Sequence, residues 1–163
     1  MIVSNTTPLS NFLHLERMDI LRQLFREIHI PFAVQEEIEA YFYENPQWQR
    51  CIDEGFIRVH RTDSSFLLNR QFHFLHKGEA EALSLCLDRQ AALCLLDDKD
   101  ARIIARLHHI NITGTLGILI EAKRKGVLSA VQPFMDTLRK GHSFWISEKM
   151  YRHVLRLADE IKM

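Results

Sequence analysis

The 163-residue chain has three cysteines and no net charge, since 21 Lys and Arg balance 21 Asp and Glu. Cys51, Cys86 and Cys94 form no CxxC pair, so neither a disulfide framework nor a cysteine zinc site is indicated. Zero net charge argues against binding nucleic acid through overall charge, although it leaves room for a local basic face. No apolar run approaches the ~20 residues that span a bilayer, and the first residues lack a signal-peptide pattern. We therefore expect a cytoplasmic protein with no membrane partner.

Few glycines and prolines interrupt the chain, and short apolar runs alternate with segments of helical periodicity. This alternation predicts an α/β fold with a mainly parallel central sheet. We predict strands over Ile2–Ser4, Ile28–Ile30, Phe56–His60, Ala91–Leu96 and Ile110–Ile112. We predict helices over Leu9–Leu15, Asp19–Arg26, Phe32–Glu44, Gly78–Asp88, Lys99–His108, Leu116–Lys125, Ser129–Arg139 and Ser147–Lys162. Residues 61–77 form the least regular part, and residues 1–163 are predicted to make a single domain.

Polar side chains follow three of the predicted strands at the point where each strand ends. They are Asn5-Thr6, Asp97-Asp98 and Thr113-Gly114-Thr115. Ligands of parallel sheets gather beyond the carboxyl ends of the strands, where helix N-termini also point. Thr113 and Thr115 there either bind a phosphate through backbone N–H groups or only cap a helix.

Two predicted helices place a glutamate in line with apolar residues. Glu37 falls on the stripe made by Val34, Ile38 and Tyr41, and Glu79 lies four residues before Leu83. A carboxylate on a core face is costly unless a partner satisfies it. A salt-bridged Glu37, or a Glu79 that complements the helix dipole, are the structural alternatives. The same periodicity places Glu81 on the outer face with Ser84 and Asp88.

A third group of acids ends the apolar strand over residues 91–96. Asp97 and Asp98 follow that strand, and Asp100 lies in the next helix. Capping the helix requires one acid, and the segment offers three. Arg102, one turn farther along, is a candidate for contact with a nucleic acid.

Four of these acids come from three separate segments and are expected to meet Asn5 at one edge of the predicted sheet. They are Glu37, Glu79, Asp97 and Asp98. Close carboxylates repel one another unless a cation neutralises them. Oxygen ligands without thiolates or an imidazole cluster favour a hard ion, Mg²⁺ or Mn²⁺. Such an ion activates water and stabilises charge on a phosphoryl group, so metal-dependent phosphodiester hydrolysis is the chemistry we expect.

The ordered motifs also resemble a known family. They are Asn5-Thr-Thr-Pro-Leu, Ile-Pro-x-x-Val-x-x-Glu37, Gly-Glu79-Ala-Glu-Ala and Leu-Leu-Asp97-Asp98. This set is similar to the PIN-domain nucleases, many of which are ribonuclease toxins of bacterial toxin–antitoxin pairs. The stretch from Thr113 to Gly126 resembles a PIN-like branch with extra C-terminal helices.

The resemblance implies a three-layer α/β/α sandwich with a core over about residues 1–130 and a helical extension over 131–163. It implies hydrolysis of single-stranded RNA, with an antitoxin protein as a partner. Its metal ligands map onto Asn5, Glu37, Glu79 and Asp98, with Asp97 beside them, and Glu37, Glu79 and Asp98 are the implied catalytic residues. Thr6 matches the hydroxyl residue that often follows the first ligand. Asn5 departs from the family's usual aspartate, which removes one negative charge.

Two alternatives stay open at this point. The first is a catalytically impaired PIN-like module that binds RNA or a protein partner, because Asn5 is neutral. The second concerns assembly: the tail carries many apolar residues, which either fill the monomer core or form the contact surface of a homodimer or of a complex with a partner. They are Val131, Phe134, Met135, Leu138, Phe144, Trp145, Met150, Val154, Leu157 and Ile161.

Overall fold

The structure is a computed structural model and describes residues 1–62, 74–141 and 144–161. Its centre is a sheet of five parallel strands in the order β3-β2-β1-β4-β5. The strands are β1 (Ile2–Ser4), β2 (Ile28–Pro31), β3 (Ile57–His60), β4 (Leu93–Leu95) and β5 (Ile112–Thr113). Each lies within two residues of its predicted bounds, so the predicted parallel α/β fold is confirmed.

Nine helices surround this sheet in the described part of the chain. They are α1 (Thr6–His14), α2 (Met18–Leu24), α3 (Phe32–Phe42), α4 (Pro46–Asp53), α5 (Lys77–Asp88), α6 (Lys99–Leu107), α7 (Thr115–Arg124), α8 (Gln132–Lys140) and α9 (Glu148–Leu157). Eight of them correspond to predicted helices. None of the helices in residues 1–62, 74–141 and 144–161 combines the length and apolar character that crossing a bilayer requires.

Helix α4 was not predicted. The side-chain oxygen of Asn45 accepts hydrogen bonds from the backbone N–H groups of Gln47 at 2.9 Å and Trp48 at 3.1 Å. Pro46 occupies the first helical position, where its missing N–H costs nothing. This Asn-Pro start signal ends the previous helix at Phe42, two residues before its predicted end. Of the predicted irregular segment 61–77, residues 63–73 lie outside the described residues, and 77 already begins α5.

The sheet separates two apolar clusters, which gives the fold its three α/β/α layers. One cluster contains buried residues of α1, α2 and α7–α9, and the other contains residues of α5 and α6. The central strand β1 contributes side chains to both clusters, because Ile2 packs against the first and Val3 lies in the second. Successive side chains of a strand point to opposite faces, so a central strand is buried on both.

The C-terminal helices pack against the first cluster. Val131, Met135, Leu138 and Val154 are buried there, so core packing accounts for much of the apolar tail. Four further tail residues remain exposed, namely Trp145, Met150, Leu157 and Ile161. The single-domain assignment, with its division near residue 130, stays a prediction.

Three predicted side-chain directions are wrong. Tyr41 is 87% exposed, because α3 packs its last turn on the core through Phe42 instead. Glu81 and Ser84 are buried rather than outward. Helix α5 contacts the sheet and also α3 and α6, so the side of α5 that the periodicity assigns to solvent is covered by neighbouring helices.

Candidate functional site

The carboxyl ends of the strands form the edge of the sheet where the predicted site residues lie. From β1 the chain moves to β2 and β3 on one side, and β4 and β5 lie on the other side. The ends of β1 and β4 therefore flank a topological switch point, which is the usual ligand position in open parallel sheets. Asn5 follows β1, and Asp97 and Asp98 follow β4, so both segments reach this position.

Asn5 links the end of β1 to the end of β4. Its backbone N–H donates to the carbonyl oxygen of Leu95 at 3.1 Å, and its side chain is only 2% exposed. The side chain does not cap helix α1. Among the described residues, the Oδ1 atom of Asn5 has no hydrogen-bond partner. A buried acceptor without a partner costs roughly 1–3 kcal/mol, so this oxygen is an unusual feature of the core.

Glu37 is held by two groups from distant segments. The hydroxyl of Thr6 donates to Oε2 of Glu37, and the backbone N–H of Gly78 donates to Oε1 at 3.2 Å. A Cβ atom on Gly78 would lie 2.6 Å from Oε1 of Glu37, far inside normal contact distance. The absence of a side chain at position 78 therefore allows α3 and α5 to place the carboxylate against the N-terminus of α5.

Glu79 lies in the first turn of α5, with its Oε2 atom accepting a hydrogen bond from the backbone N–H of His76 at 3.1 Å. Burial raises the pKa of Glu79, and the negative charges of Asp98 and Glu37 raise it further, against the lowering effect of the His76 N–H. Asp98 itself caps α6, because its Oδ1 accepts from the N–H of Ala101 at 2.8 Å. The three carboxylates thus lie close enough for their charges to interact.

One cavity joins several of these residues. Asn5, Thr6, Glu37 and Glu79 line a space of about 510 Å³, together with Thr7, His76 and Lys77. The sequence reasoning did not identify His76 and Lys77. Their position in the sequence could have indicated them, because both directly precede the Gly78-Glu79 pair at the start of a helix. Lys77 lies 3.9 Å from Glu81 and supplies a cation at the rim of an otherwise acidic cavity.

Asp97 belongs to a second cluster, next to the first. Its Oδ1 accepts from the N–H of Thr115 at 2.8 Å and its Oδ2 accepts from the hydroxyl of Thr115 at 2.6 Å. The Thr115 hydroxyl also accepts from Asn11 at 3.0 Å. Burial raises the pKa of Asp97, against the lowering effects of the Thr115 bonds and of Arg102. Both oxygens of Asp97 are thus used to anchor the first turn of α7.

The predicted substrate residues divide between the two clusters. Thr6 lines the cavity, whereas Thr115 is fully buried beside Asp97. Arg102 donates from Nη1 to the carbonyl oxygen of Leu96 at 3.0 Å and lies against Gly114. Thr113 is the last residue of β5, and its hydroxyl packs against Gly117 in the first turn of α7. The structure therefore does not bring Arg102, Thr113 and Thr115 into the lining of the acidic cavity.

The carboxylates are near one another without being in contact. Within the described ranges, no three His, Cys, Asp or Glu side chains are placed closely enough to hold one metal ion. Each of Glu37, Glu79 and Asp98 uses an oxygen to accept a backbone N–H from a helix start. The site is therefore an acidic cavity with one orphaned amide oxygen, Oδ1 of Asn5.

The family comparison covers nearly the whole chain. A family model described as DUF3368, a PIN domain, matches residues 1–160. No curated protein and no solved structure matches the chain significantly. The matched span includes the parallel sheet, the acidic cavity at its carboxyl edge and the C-terminal helices. The chain therefore belongs to the PIN-domain family.

Proposed function

We propose that this protein is a metal-dependent endoribonuclease that hydrolyses phosphodiester bonds of single-stranded RNA. Membership of the PIN-domain family supports a nuclease-type function and RNA as its substrate. The observation that carries the proposal is the cavity that Asn5, Glu37 and Glu79 share beyond the carboxyl edge of a parallel sheet. Carboxylates gathered in this way at a topological switch point are typical of active sites, where they bind cations or exchange protons.

The donor atoms at this edge suit a hard divalent cation, Mg²⁺ or Mn²⁺, but the described carboxylates would have to move closer together to hold one ion. The donors are all oxygens, which such ions prefer, and the orphaned Oδ1 of Asn5 would gain the partner that it lacks. We propose that Glu37, Glu79 and Asp98 hold the cation, with Asn5 as a neutral fourth ligand and Asp97 behind them. When bound, such an ion lowers the pKa of a water molecule and neutralises charge on the phosphoryl group.

The chain's own residues prepare the cavity for this substrate. Thr6 and Gly78 keep the Glu37 carboxylate in one position, which reduces the cost of ordering it during reaction. Burial and the neighbouring carboxylates raise the pKa of Glu79, so this carboxyl group binds a proton more readily than an ordinary glutamate. Lys77, at the cavity rim, is placed to contact an RNA phosphate. Asp97 orders the α7 N-terminus through Thr115, so we assign it a positioning role.

A second candidate function is a PIN-like module that binds RNA or a protein partner without cleaving it. The neutral Asn5 and the separation of the carboxylates favour this alternative. An antitoxin partner, a homodimer and a cytoplasmic location are also proposals. The exposed Trp145, Met150 and Leu157 support a protein contact, and three free cysteines support a reducing compartment.

Cleavage of a labelled single-stranded RNA separates the two functions. We expect weak hydrolysis with Mn²⁺, weaker hydrolysis with Mg²⁺, and none after EDTA treatment, because the charge on the phosphoryl group is then no longer offset. Readdition of Mn²⁺ should restore the rate. Binding of the RNA without cleavage at any metal concentration would favour the binding module and contradict the nuclease.

The Gly78→Ala variant tests the placement of Glu37. The new methyl group would displace the Glu37 carboxylate, so we expect RNA cleavage to fall by at least about tenfold, since a misplacement of 1 Å can cost up to about 100-fold. The fold should be retained, because alanine favours a helix over glycine and the displaced atoms end a flexible side chain.

Gly141→Ala is the matched control for this variant. A Cβ atom there meets its nearest neighbour at 3.6 Å, an ordinary contact, so cleavage should remain at the wild-type rate. Both variants are compared by initial rates and by thermal unfolding. Wild-type activity in Gly78→Ala would show that the position of Glu37 does not matter for the reaction.

A further inference from the structure

A second cavity adjoins the acidic one. It has a volume of about 650 Å³, within the range of ligand pockets, and lies between α1 and α3. Thr6, Thr7 and Glu37 line both cavities, so the Thr6–Glu37 hydrogen bond lies at their common boundary. We call this second cavity the α1–α3 groove. A ligand with a reacting group at Glu37 would extend naturally into it.

The lining of the groove is neutral and aromatic away from Glu37. Among the nine described residues that line it, none is a lysine or arginine. Phe42 and His14 meet there edge to face, with ring centroids 4.9 Å apart. Ser10 adds a hydroxyl group that can hydrogen-bond in either direction. Such a lining offers a phosphate no lysine or arginine to pair with, and it suits a flat ring with polar edges.

Tyr41 stands at the opening of this groove with 87% of its surface exposed. It lies four residues after Glu37 on α3, slightly more than one helical turn and about 6 Å along the axis. An exposed aromatic ring has no role in the monomer core. Its face is available for stacking at one turn from the carboxylate that the two cavities share.

We propose that the α1–α3 groove binds a nucleobase of the RNA, next to the phosphodiester in the acidic cavity, with the base stacked on Tyr41. This inference rests on the proposed ribonuclease function and adds a subsite to it. Stacking accepts every base, because each has a π-face, so the site selects single-stranded RNA rather than a sequence. A duplex cannot supply an unstacked base to this groove.

Cleavage kinetics of Tyr41→Ala test the subsite. We expect its KM for a single-stranded RNA to rise about 5- to 150-fold, the range reported for loss of one stacked base, with kcat within twofold of wild type. Tyr41→Phe should keep the wild-type KM, because it retains the ring face. Tyr43→Ala is the matched control, since Tyr43 is also exposed but does not line the groove.

A series of RNA oligomers with single abasic positions identifies the bound base. One position near the cleaved bond should raise the wild-type KM by the same factor and have no further effect in Tyr41→Ala. If Tyr41→Ala cleaves RNA with the wild-type KM, the nucleobase subsite is overturned while the ribonuclease function stands. If the wild-type protein cleaves no RNA with any metal, both proposals fail.

Discussion

Replacing Glu37 by glutamine is expected to lower the rate of single-stranded RNA cleavage by at least about 100-fold. The amide has nearly the same shape: its one oxygen can accept from the Gly78 N–H, and its NH₂ group can donate to the Thr6 hydroxyl, so the variant mainly removes charge. A loss of 100-fold corresponds to about 2.7 kcal/mol of transition-state stabilisation. Initial rates at saturating Mn²⁺ measure the effect of that charge on hydrolysis. Calorimetric titration with Mn²⁺ measures its effect on the affinity for the cation.

Glu36→Gln is the control for this change, because Glu36 is the neighbouring residue on α3 and is exposed. It should cleave RNA at the wild-type rate and bind Mn²⁺ equally well. If Glu37→Gln also behaves like wild type, the Glu37 carboxylate holds no cation and takes no part in hydrolysis.

Asp98→Asn provides an independent version of the same test. Asparagine caps helices about as well as aspartate, so α6 should keep its start and the protein its thermal stability. We again expect a loss of about 100-fold or more in cleavage. Asp100→Asn, an exposed change in the first turn of the same helix, is the matched control. Equal rates for the two variants would remove Asp98 from the proposed metal ligands.

Replacing Asn5 by aspartate is expected to have the opposite effect and to raise both Mn²⁺ affinity and the cleavage rate. The new carboxylate occupies the position of the orphaned amide oxygen and adds the charge that the PIN-domain resemblance leads one to expect. Without metal, however, the variant buries a further charge beside Glu37 and Glu79 at a 2% exposed position. We therefore expect its unfolding temperature to fall in EDTA and to rise more than that of wild type when Mn²⁺ is added.

Two further variants make the Asn5 result specific. Asn5→Ala removes the oxygen and should lower both metal affinity and cleavage. Asn45→Asp makes the same amide-to-acid change at the cap of α4, away from the cavity, and should leave both unchanged. If Asn5→Asp changes neither the Mn²⁺ affinity nor the cleavage rate, and Asp98→Asn also behaves like wild type, there is no metal site. The protein is then better described as a module that binds RNA or a protein partner.

Local chemistry was sufficient to predict the strands and most of the helices. Buried parallel strands are continuous apolar runs, and the segments between them keep a helical period, so both patterns can be read without knowing what each segment packs against. The same reasoning brought Asn5, Glu37 and Glu79 to one sheet edge, because the carboxyl ends of parallel strands share one side. Helix α4 was not predicted, although the Asn45-Pro46 pair that marks its start is visible in the sequence.

Contacts between distant segments set the features that periodicity could not predict. Asp97 and Asp98 are adjacent, yet one anchors α7 through Thr115 and the other caps α6, a division that depends on where β5 ends. Glu81 is buried because α3 and α6 cover α5, and Tyr41 is exposed because Phe42 takes the core position. A helical period indicates which residues share a face, but the number of faces that become buried depends on neighbours brought together by folding. The orphaned oxygen of Asn5 has the same origin, since hydrogen-bond partners in a core are supplied by segments far away in the chain.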